Sequence, residues 1–301
     1  MLTGEERCSF SRRFDMEFSC GERRFSPHLA RRLELAGRPD GMVADRLLDM
    51  VGQAGGPLAD ASLWHLQVVD VSEFGPDFRR LIMSGPGLNG LRYTAGQDLM
   101  FRVPRRNGAG TNRRYTIRSF DPGRSEVTID VSLHGAGPGT DWVRQARVGD
   151  QIDAIGPRGK ITPNLEAEWH LFVGDDTGMP GALAMIDAIP ATHKIRAIFE
   201  VDGPDDEQET DVPVTSEVEI QWVHRLGRSV PGDSVSLHQA VVGLELPAGV
   251  GHAYVAAESA VVRDLQTLLI ERGLQPGQIS AKGYWRRGLP NADHGEPVRP
   301  D

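Results

Sequence analysis

The spacing of apolar residues changes twice along the chain and predicts three structural regions. In residues 1–60, apolar positions at helical spacing predict two short amphipathic helices, at 26–35 and 42–51. Ser26-Pro27 supplies a cap and a first-turn proline for the first helix, and a Gly-rich linker follows at 52–57. We interpret this region as an N-terminal helical extension, and its sequence indicates no chemistry.

Residues 61–163 change to short segments of alternating apolar and polar positions, separated by Gly, Pro and Asp. This pattern is typical of an antiparallel sandwich or barrel. The predicted strands are 63–71, 79–85, 98–104, 113–120, 126–133 and 150–156.

Residues 164–290 alternate strands with helices, which predicts a parallel α/β sheet with right-handed crossovers. Five strands are predicted, at 169–176, 194–201, 217–224, 252–259 and 279–285. Two helices are predicted, at 179–189 and 260–273, and Gly273 ends the second one. Residues 291–301 remain as a C-terminal tail.

Composition narrows the function classes. At 301 residues the chain is long enough for two domains, and its net charge of −9 argues against nucleic-acid binding. No apolar run reaches the roughly 18 residues of a membrane span, and mean hydropathy is −0.33. The only cysteines, Cys8 and Cys20, fit a reducing cytoplasm and make a poor metal site. We expect a cytoplasmic monomer that binds neither nucleic acid nor membrane and holds no metal of its own.

Positive charge is concentrated in two places. Six arginines and no acid lie between Arg102 and Arg118, and Lys282, Arg286 and Arg287 form a second group. A basic island in an acidic protein suggests a small anionic ligand such as phosphate or carboxylate. The stretch 113–121, RRYTIRSFD, is by itself equally compatible with an ordinary edge strand.

Two loops follow predicted parallel strands, where ligands bind in such sheets. Gly174, Asp175 and Thr177 precede a helix that starts near Pro180, and residues 256–259 occupy the equivalent place after the fourth strand. Each loop could equally be a simple helix cap. The Gly-rich segment 135–140 could expose backbone N–H groups to a diphosphate, but it is not a P-loop. The chain also lacks GxSxG, HExxH and paired CxxC motifs, which removes the commonest hydrolase and zinc interpretations.

Taken in order, several segments resemble siderophore-interacting proteins, which are FAD-dependent ferric-siderophore reductases of the ferredoxin reductase superfamily. The resemblance spans about residues 63–288 and rests on order and spacing, since each segment alone is weak. The segments are RRYTIR, SLHGAGPGTDW, VGDQIDAIGPRGK, LFVGDDTGMPGALAMI, FEV, WVHR, VAAES and GYWRRG. The resemblance implies an antiparallel Greek-key FAD-binding barrel followed by a parallel-sheet nucleotide-binding domain that is ferredoxin reductase-like.

The same resemblance implies roles for individual residues. RRYTIR matches a flavin motif in which Arg113 contacts the FAD diphosphate, Tyr115 lies against the flavin and Thr116 lies near its N5 atom. No protein side chain is expected to act as acid, base or nucleophile. The implied cofactor-binding residues are Arg113, Tyr115, Thr116, Ile117, His134, Gly137, Thr140, Gly174, Asp175, Thr177, Ala256, Glu258, Tyr284 and Trp285. By their charge, Lys282, Arg286, Arg105 and Arg106 are candidates to attract an anionic ferric chelate, and each could equally be a solvated surface residue.

The chain departs from the family pattern at several positions, which leaves the choice between NADPH and NADH open. Gly178 and Met179 replace Ala-Leu, Asp176 replaces Glu, and Ala257 replaces Gly. Arg225 could read the 2′-phosphate of NADPH or make a surface salt bridge.

The resemblance implies an NAD(P)H-dependent reductase that passes electrons through FAD to a ferric siderophore or other ferric chelate and releases Fe(II). Two alternatives remain from the residues: a flavin reductase or electron-transfer flavoprotein with another acceptor, and a non-enzymatic flavin or siderophore binder.

Overall fold

The computed structural model describes residues 9–11, 17–20, 23–24, 62–104, 110–134, 137–210, 217–227, 231–233 and 235–288. The chain divides into two compact units, Met1–Leu63 and Trp64–Asp301. The described part of the first unit is a small antiparallel sheet of β1 (Ser9–Ser11), β2 (Glu17–Cys20) and β3 (Arg23–Arg24). The two helices expected at 26–35 and 42–51 lie outside the described residues.

The second unit begins with a seven-stranded sheet whose assigned pairings are antiparallel. Its strands are β4 (Ser62–Glu73), β5 (Phe78–Ser84), β6 (Asp98–Pro104), β7 (Gly110–Thr116), β8 (Ser119–Asp121), β9 (Glu126–Ser132) and β10 (Gln151–Arg158). Alternate residues point inward: Trp64, Leu66 and Val68 are buried, whereas His65 and Gln67 are exposed.

The order β7-β6-β10-β4-β5-β9-β8 curls this sheet into a barrel. Its two outer strands, β7 and β8, are consecutive in sequence, and the chain passes between them at Ile117 and Arg118. The Ile117 N–H donates to the carbonyl oxygen of Gln97, just before β6, and the Arg118 N–H donates to that of Thr128 in β9. The connection therefore forms hydrogen bonds to both ends of the sheet. The prediction of a single strand at 113–120 was therefore wrong. The alternation of apolar and polar residues continues through Ile117 and Arg118, where the chain leaves one neighbouring strand and pairs with another.

The C-terminal part is a five-stranded, wholly parallel sheet in the order β13-β12-β11-β14-β15. The strands are β11 (Trp169–Asp175), β12 (Lys194–Val201), β13 (Val218–His224), β14 (Gly251–Glu258) and β15 (Ile279–Trp285). All five were predicted. Strand order reverses between β11 and β14, which creates the crevice where ligands bind in such sheets.

Helices cover both faces of the parallel sheet. The described helices are α1 (Pro138–Gln145), α2 (Met179–Ala188), α3 (Val235–Gly243) and α4 (Ser259–Glu271). Leu171 and Val173 of β11 pack in a core with α3 and α4, whereas Phe172 packs in a second core with α2. Helices α1 and α3 were not predicted, because both are short. Among the described residues, no helix is long and apolar enough to cross a membrane. The barrel followed by the parallel sheet confirms the predicted fold class.

Candidate functional site at the junction of barrel and parallel sheet

The flavin motif on β7 faces the first turn of α1. Arg113 and Tyr115 share one face of the strand, and both pack on Gly139, where an added Cβ would lie 2.5 Å from Tyr115 Oη and 3.1 Å from Arg113 Cγ. Gly137 immediately precedes α1 and Thr140 lies in its first turn. The structure thus brings together the two segments that the sequence proposed for a diphosphate.

The chemistry of this cradle fits the diphosphate and ring of FAD. The N-terminal turn of a helix has unpaired backbone N–H groups and the positive end of the helix dipole, and the Arg113 guanidinium adds a full charge beside it. Burial raises the pKa of the Tyr115 phenol, although the Arg113 charge opposes this. Tyr115 is therefore a neutral aromatic surface next to a cationic group.

Thr116 ends β7 at the junction with the α/β domain. Its Oγ1 lies 3.4 Å from Tyr284 Oη of β15, and a Cβ on Gly181 of α2 would lie 3.2 Å from the same Oγ1. The Ile117 side chain is fully buried in the barrel core, so it packs inside the barrel rather than facing this junction.

Asp175, the last residue of β11, ties together the loops at the carboxyl end of the parallel sheet. Its carboxylate accepts hydrogen bonds from the Thr177 N–H at 2.9 Å, the Glu258 N–H at 3.0 Å and Trp285 Nε1 at 2.8 Å. Burial and the neighbouring charge of Asp176 raise the pKa of Asp175, although the hydrogen bonds from Thr177 and Trp285 oppose the shift. A single buried carboxyl therefore fixes three strand ends relative to one another.

The first and fourth strand ends touch directly. A Cβ on Gly178 would lie 1.9 Å from the Ala256 carbonyl oxygen, and one on Gly174 would lie 2.8 Å from it. Glycine is required at both positions by this close approach. Glu258 caps α4 by accepting from the Val261 N–H at 3.2 Å. The cap that the sequence offered as the alternative role for Glu258 is thus present.

The Thr116–Tyr284 contact borders a small pocket. Small residues line it, namely Gly178, Ala182, Ala256 and Ser280, and Tyr284 contributes an aromatic ring. The pocket joins the loops after β11 and β14 to Tyr284, which the resemblance implied as a cofactor-binding residue.

A histidine–carboxylate contact links the barrel to the α/β domain. His134 Nδ1 lies 3.1 Å from Asp176 Oδ1 and 2.8 Å from Ser132 Oγ, and its ring centroid lies 4.9 Å from that of Trp285. Burial lowers the pKa of His134, but the hydrogen bond and charge of Asp176 outweigh it, so the net pKa is raised. His134 therefore contacts Asp176 and Trp285 at the carboxyl end of the parallel sheet, and it directly precedes the Gly-rich segment 135–140.

Arg225 is buried, which corrects the surface salt bridge considered from the sequence. Its Nη2 donates to Asp176 Oδ2 at 2.7 Å and its Nη1 to Glu200 Oε2 at 3.4 Å, with only 2% of the Arg225 side chain exposed. Burial raises the pKa of Glu200 to about 7 despite the attraction of Arg225. For Asp176, His134 and Arg225 overcome the effect of burial and lower the pKa.

The basic groups are partly neutralised by acids that are distant in sequence. Arg114 makes a two-pronged contact with Asp98, at 2.9 and 2.6 Å, and Lys282 Nζ lies 3.9 Å from the same carboxylate. Arg118 pairs with Asp187 of α2 at 2.6 Å. These contacts correct the expectation of an island without acids, because the acids lie on neighbouring strands and helices.

Of the predicted chelate contacts, Arg286 is exposed, Lys282 is mostly buried against Asp98, and Arg105 lies outside the described residues. Sequence reasoning missed Asp98, Glu200 and the pairing partner of Asp176. The sequence does show an acidic residue within or just after a strand at each of these positions, but it does not show which basic residue pairs with it.

Comparison with known proteins agrees with this arrangement. Residues 94–161 match the family model described as Siderophore-interacting FAD-binding domain, and residues 167–288 match the one described as Siderophore-interacting protein. An uncharacterized protein of Mycobacterium tuberculosis is 37% identical over 189 residues, and ferric vibriobactin reductase ViuB of Vibrio cholerae is 33% identical over 180 residues. Each match covers 58% of this chain and 65% of the relative, which is less than two thirds of its length.

Solved structures extend the likeness. Ferredoxin-NADP+ reductase from Plasmodium falciparum is only 13% identical but shares the fold, with a TM-score of 0.58 and coverage of 74% of this chain and 96% of that one. A siderophore utilization protein from T. fusca has a TM-score of 0.71 at 31% identity, and the match covers 78% of this chain and 96% of that chain. On these grounds the chain belongs to the siderophore-interacting protein family.

Proposed function

We propose that this protein is an NAD(P)H-dependent ferric-siderophore reductase that uses bound FAD and releases iron as Fe(II). The observation that carries the proposal is the contact of Thr116 with Tyr284, 3.4 Å between hydroxyl oxygens. It joins the end of the flavin motif to the carboxyl edge of the parallel sheet, so a flavin and a nicotinamide bound at these places would be neighbours.

On the barrel side, Arg113 and the start of α1 would hold the FAD diphosphate, Tyr115 would pack against the ring system, and Thr116 would lie near its reactive edge. A bound flavin converts the two-electron hydride of a nicotinamide into single electrons that Fe³⁺ can accept. The protein needs no acid, base or nucleophile of its own for this; it supplies position and electrostatics.

On the sheet side, the nicotinamide cofactor binds at the switch point between β11 and β14. Thr177 and Ala256 are the partly exposed residues of these loops, Gly174 and Glu258 are buried beneath them, and Asp175 holds the loops in register. Tyr284 or Trp285 would cover the face of a bound flavin.

The ferric chelate is the substrate and docks at the exposed flavin edge. Its iron is held by hard oxygen donors, and reduction to the softer Fe²⁺ weakens that binding. Arg286 attracts an anionic chelate at the surface, whereas Lys282 acts closer in, where Asp98 shares its charge. The cytoplasmic location and the monomeric state stay predictions, to be tested by cell fractionation and by sedimentation.

The test measures Fe(II) production by FAD-loaded protein with NADH or NADPH, using a coloured Fe(II) trap. Three acceptors are compared: a ferric siderophore, free flavin and an iron–sulfur protein. The proposal predicts the highest kcat/KM with the ferric chelate. Higher turnover with free flavin or with the iron–sulfur protein would favour a flavin reductase or electron-transfer role. A protein that does not bind FAD would contradict the proposal.

A further inference from the structure

The carboxyl end of β12 is the part of the sheet where the structure departs from what NADPH requires. In doubly wound sheets, the loop after the first strand receives the diphosphate, and an acid at the end of the second strand binds the adenosine ribose. Here β11 is the first strand and β12 lies directly beside it. Glu200 and Asp202 flank the last residue of β12.

The one arginine described at this edge already faces three carboxylates of its own chain. Arg225 contacts Asp176 at 2.7 Å and Glu200 at 3.4 Å, and its Nε lies 3.9 Å from Asp202 Oδ1. An arginine that reads a phosphate needs its donors turned toward the ligand. The buried Arg225 instead donates from Nη1 to Glu200 and from Nη2 to Asp176.

The acids supply acceptors where a ribose would supply donors. Glu200 is 2% exposed, and within the described part of the chain its Oε1 has no hydrogen-bond partner. The Asp202 side chain is 46% exposed and therefore accessible to a ligand. A ribose 2′-hydroxyl can donate to a carboxylate, whereas a 2′-phosphate brings further negative charge and only acceptors.

We propose that this protein selects NADH over NADPH, with Asp202 as the specificity-determining contact to the adenosine ribose. Glu200 and Asp176 act as positioning residues that hold Arg225 away from a 2′-phosphate. This inference rests on the proposed function, because it requires a nicotinamide cofactor at the carboxyl edge of the sheet.

The test titrates FAD-loaded protein with NAD⁺ and NADP⁺ by calorimetry, so that binding is measured without turnover. We expect NAD⁺ to bind about tenfold or more tightly than NADP⁺, and Asp202→Asn to reduce that ratio by about threefold or more. Glu219→Gln is the matched control, because Glu219 is also an exposed acid, 67% for its side chain, but lies near the start of β13. Its ratio should equal that of the parent protein.

The outcomes separate the two proposals. Tighter binding of NADP⁺ would overturn the NADH selectivity and leave the reductase standing. An equal change in Asp202→Asn and Glu219→Gln would also overturn it, since general surface charge would then explain the ratio. If neither nucleotide binds and neither NADH nor NADPH bleaches the flavin, the proposed function itself is wrong, and the selectivity falls with it.

Discussion

The two ends of the parallel sheet bury titratable groups in opposite ways. At the amino end, His170 of β11 lies beside His252 of β14, and His170 Nε2 is 2.9 Å from His193 Nδ1. Burial, followed by the charges of His193 and His252, lowers the pKa of His170 to about 4. This end therefore holds a neutral His170 ring stacked on Tyr254, with the His252 ring tilted against the same tyrosine.

The carboxyl end instead holds ion pairs around Arg225, although burial raises the pKa of Glu200 to about 7. Arg225, Asp176 and Glu200 are all at most 3% exposed in their side chains and form ion pairs. Buried ion pairs are poor stabilisers, because their attraction barely offsets the loss of hydration. Perturbed groups of this kind concentrate at functional sites. We therefore propose that the amino end serves stability, whereas the carboxyl end keeps charges for ligand binding.

The largest expected effect is the loss of Arg225. Arg225→Ala leaves Asp176 and Glu200 buried without their cation, and we expect the free energy of unfolding to fall by about 3–5 kcal/mol. Urea unfolding measures this. Arg196→Ala is the control, because its partner Glu219 is 67% exposed and such pairs contribute about 0–1 kcal/mol. Equal losses in both variants would show that the ion pairs of Arg225 contribute no more to the free energy of unfolding than a surface pair does.

Loss of Arg113 should act on cofactor binding rather than on folding. Arg113→Ala removes a charge-assisted contact, so FAD affinity should weaken by roughly 1.5–3 kcal/mol. Fluorescence titration of apoprotein with FAD measures the change. Arg124→Ala, on an exposed turn of the same barrel and paired with Glu126, should leave FAD affinity unaltered. An unchanged affinity in Arg113→Ala would place the diphosphate elsewhere.

Acid should destabilise the amino end through His170. Its pKa is about 4 in the folded state against about 6.5 for an ordinary histidine, so the unfolded chain binds the proton more tightly. The stability from this residue is present above about pH 6.5 and is lost as pH falls toward 4; between about pH 7 and pH 5 the loss is about 2 kcal/mol. His170→Phe should flatten that part of the pH profile. A profile identical to that of the parent protein would contradict the burial argument.

Glu200 should give a slope of the opposite sign. Its folded pKa of about 7 lies above 4.5, so the folded state binds the proton more tightly and the contribution to stability declines as pH rises from about 4.5 through 7. We expect about 2.5 kcal/mol over this range, which Glu200→Gln should remove. Chemical denaturation at several pH values measures both slopes. Slopes of the same sign for the two residues would contradict the pKa shifts assigned to their burial.

The smallest effect is expected at Arg286, which is exposed. Arg286→Ala should raise the apparent KM for an anionic ferric chelate about two- to fivefold at low salt. The difference should fade as ionic strength rises past roughly 0.15 M, where the Debye length is about 8 Å. Stopped-flow measurement of the two half-reactions checks this, since flavin reduction by the nicotinamide should change little. An equal loss in both half-reactions would assign Arg286 to the fold or the flavin.

Local pattern was enough to predict the fold class, the parallel strands and the two loops at their carboxyl ends. The positions of Asp175 and Glu258 followed from one rule, that parallel strands end at the same edge of a sheet. The partners of the charges did not follow. Asp98 meets Arg114 and Lys282 only through strand register and domain packing, and Arg225 is buried only because three strand ends converge on it. Contacts of this kind join residues that no local sequence window contains.

The central claim is that electrons pass from a nicotinamide through FAD to ferric iron at the junction of the barrel and the parallel sheet. An anaerobic spectral titration tests it most directly: NADH is added to the FAD-loaded protein, followed by a ferric siderophore. The account predicts that NADH bleaches the visible flavin absorbance and that the ferric siderophore restores it while Fe(II) appears, two irons for each flavin. A flavin that NADH and NADPH leave oxidised, or a reduced flavin that the ferric chelate does not reoxidise, would contradict the account.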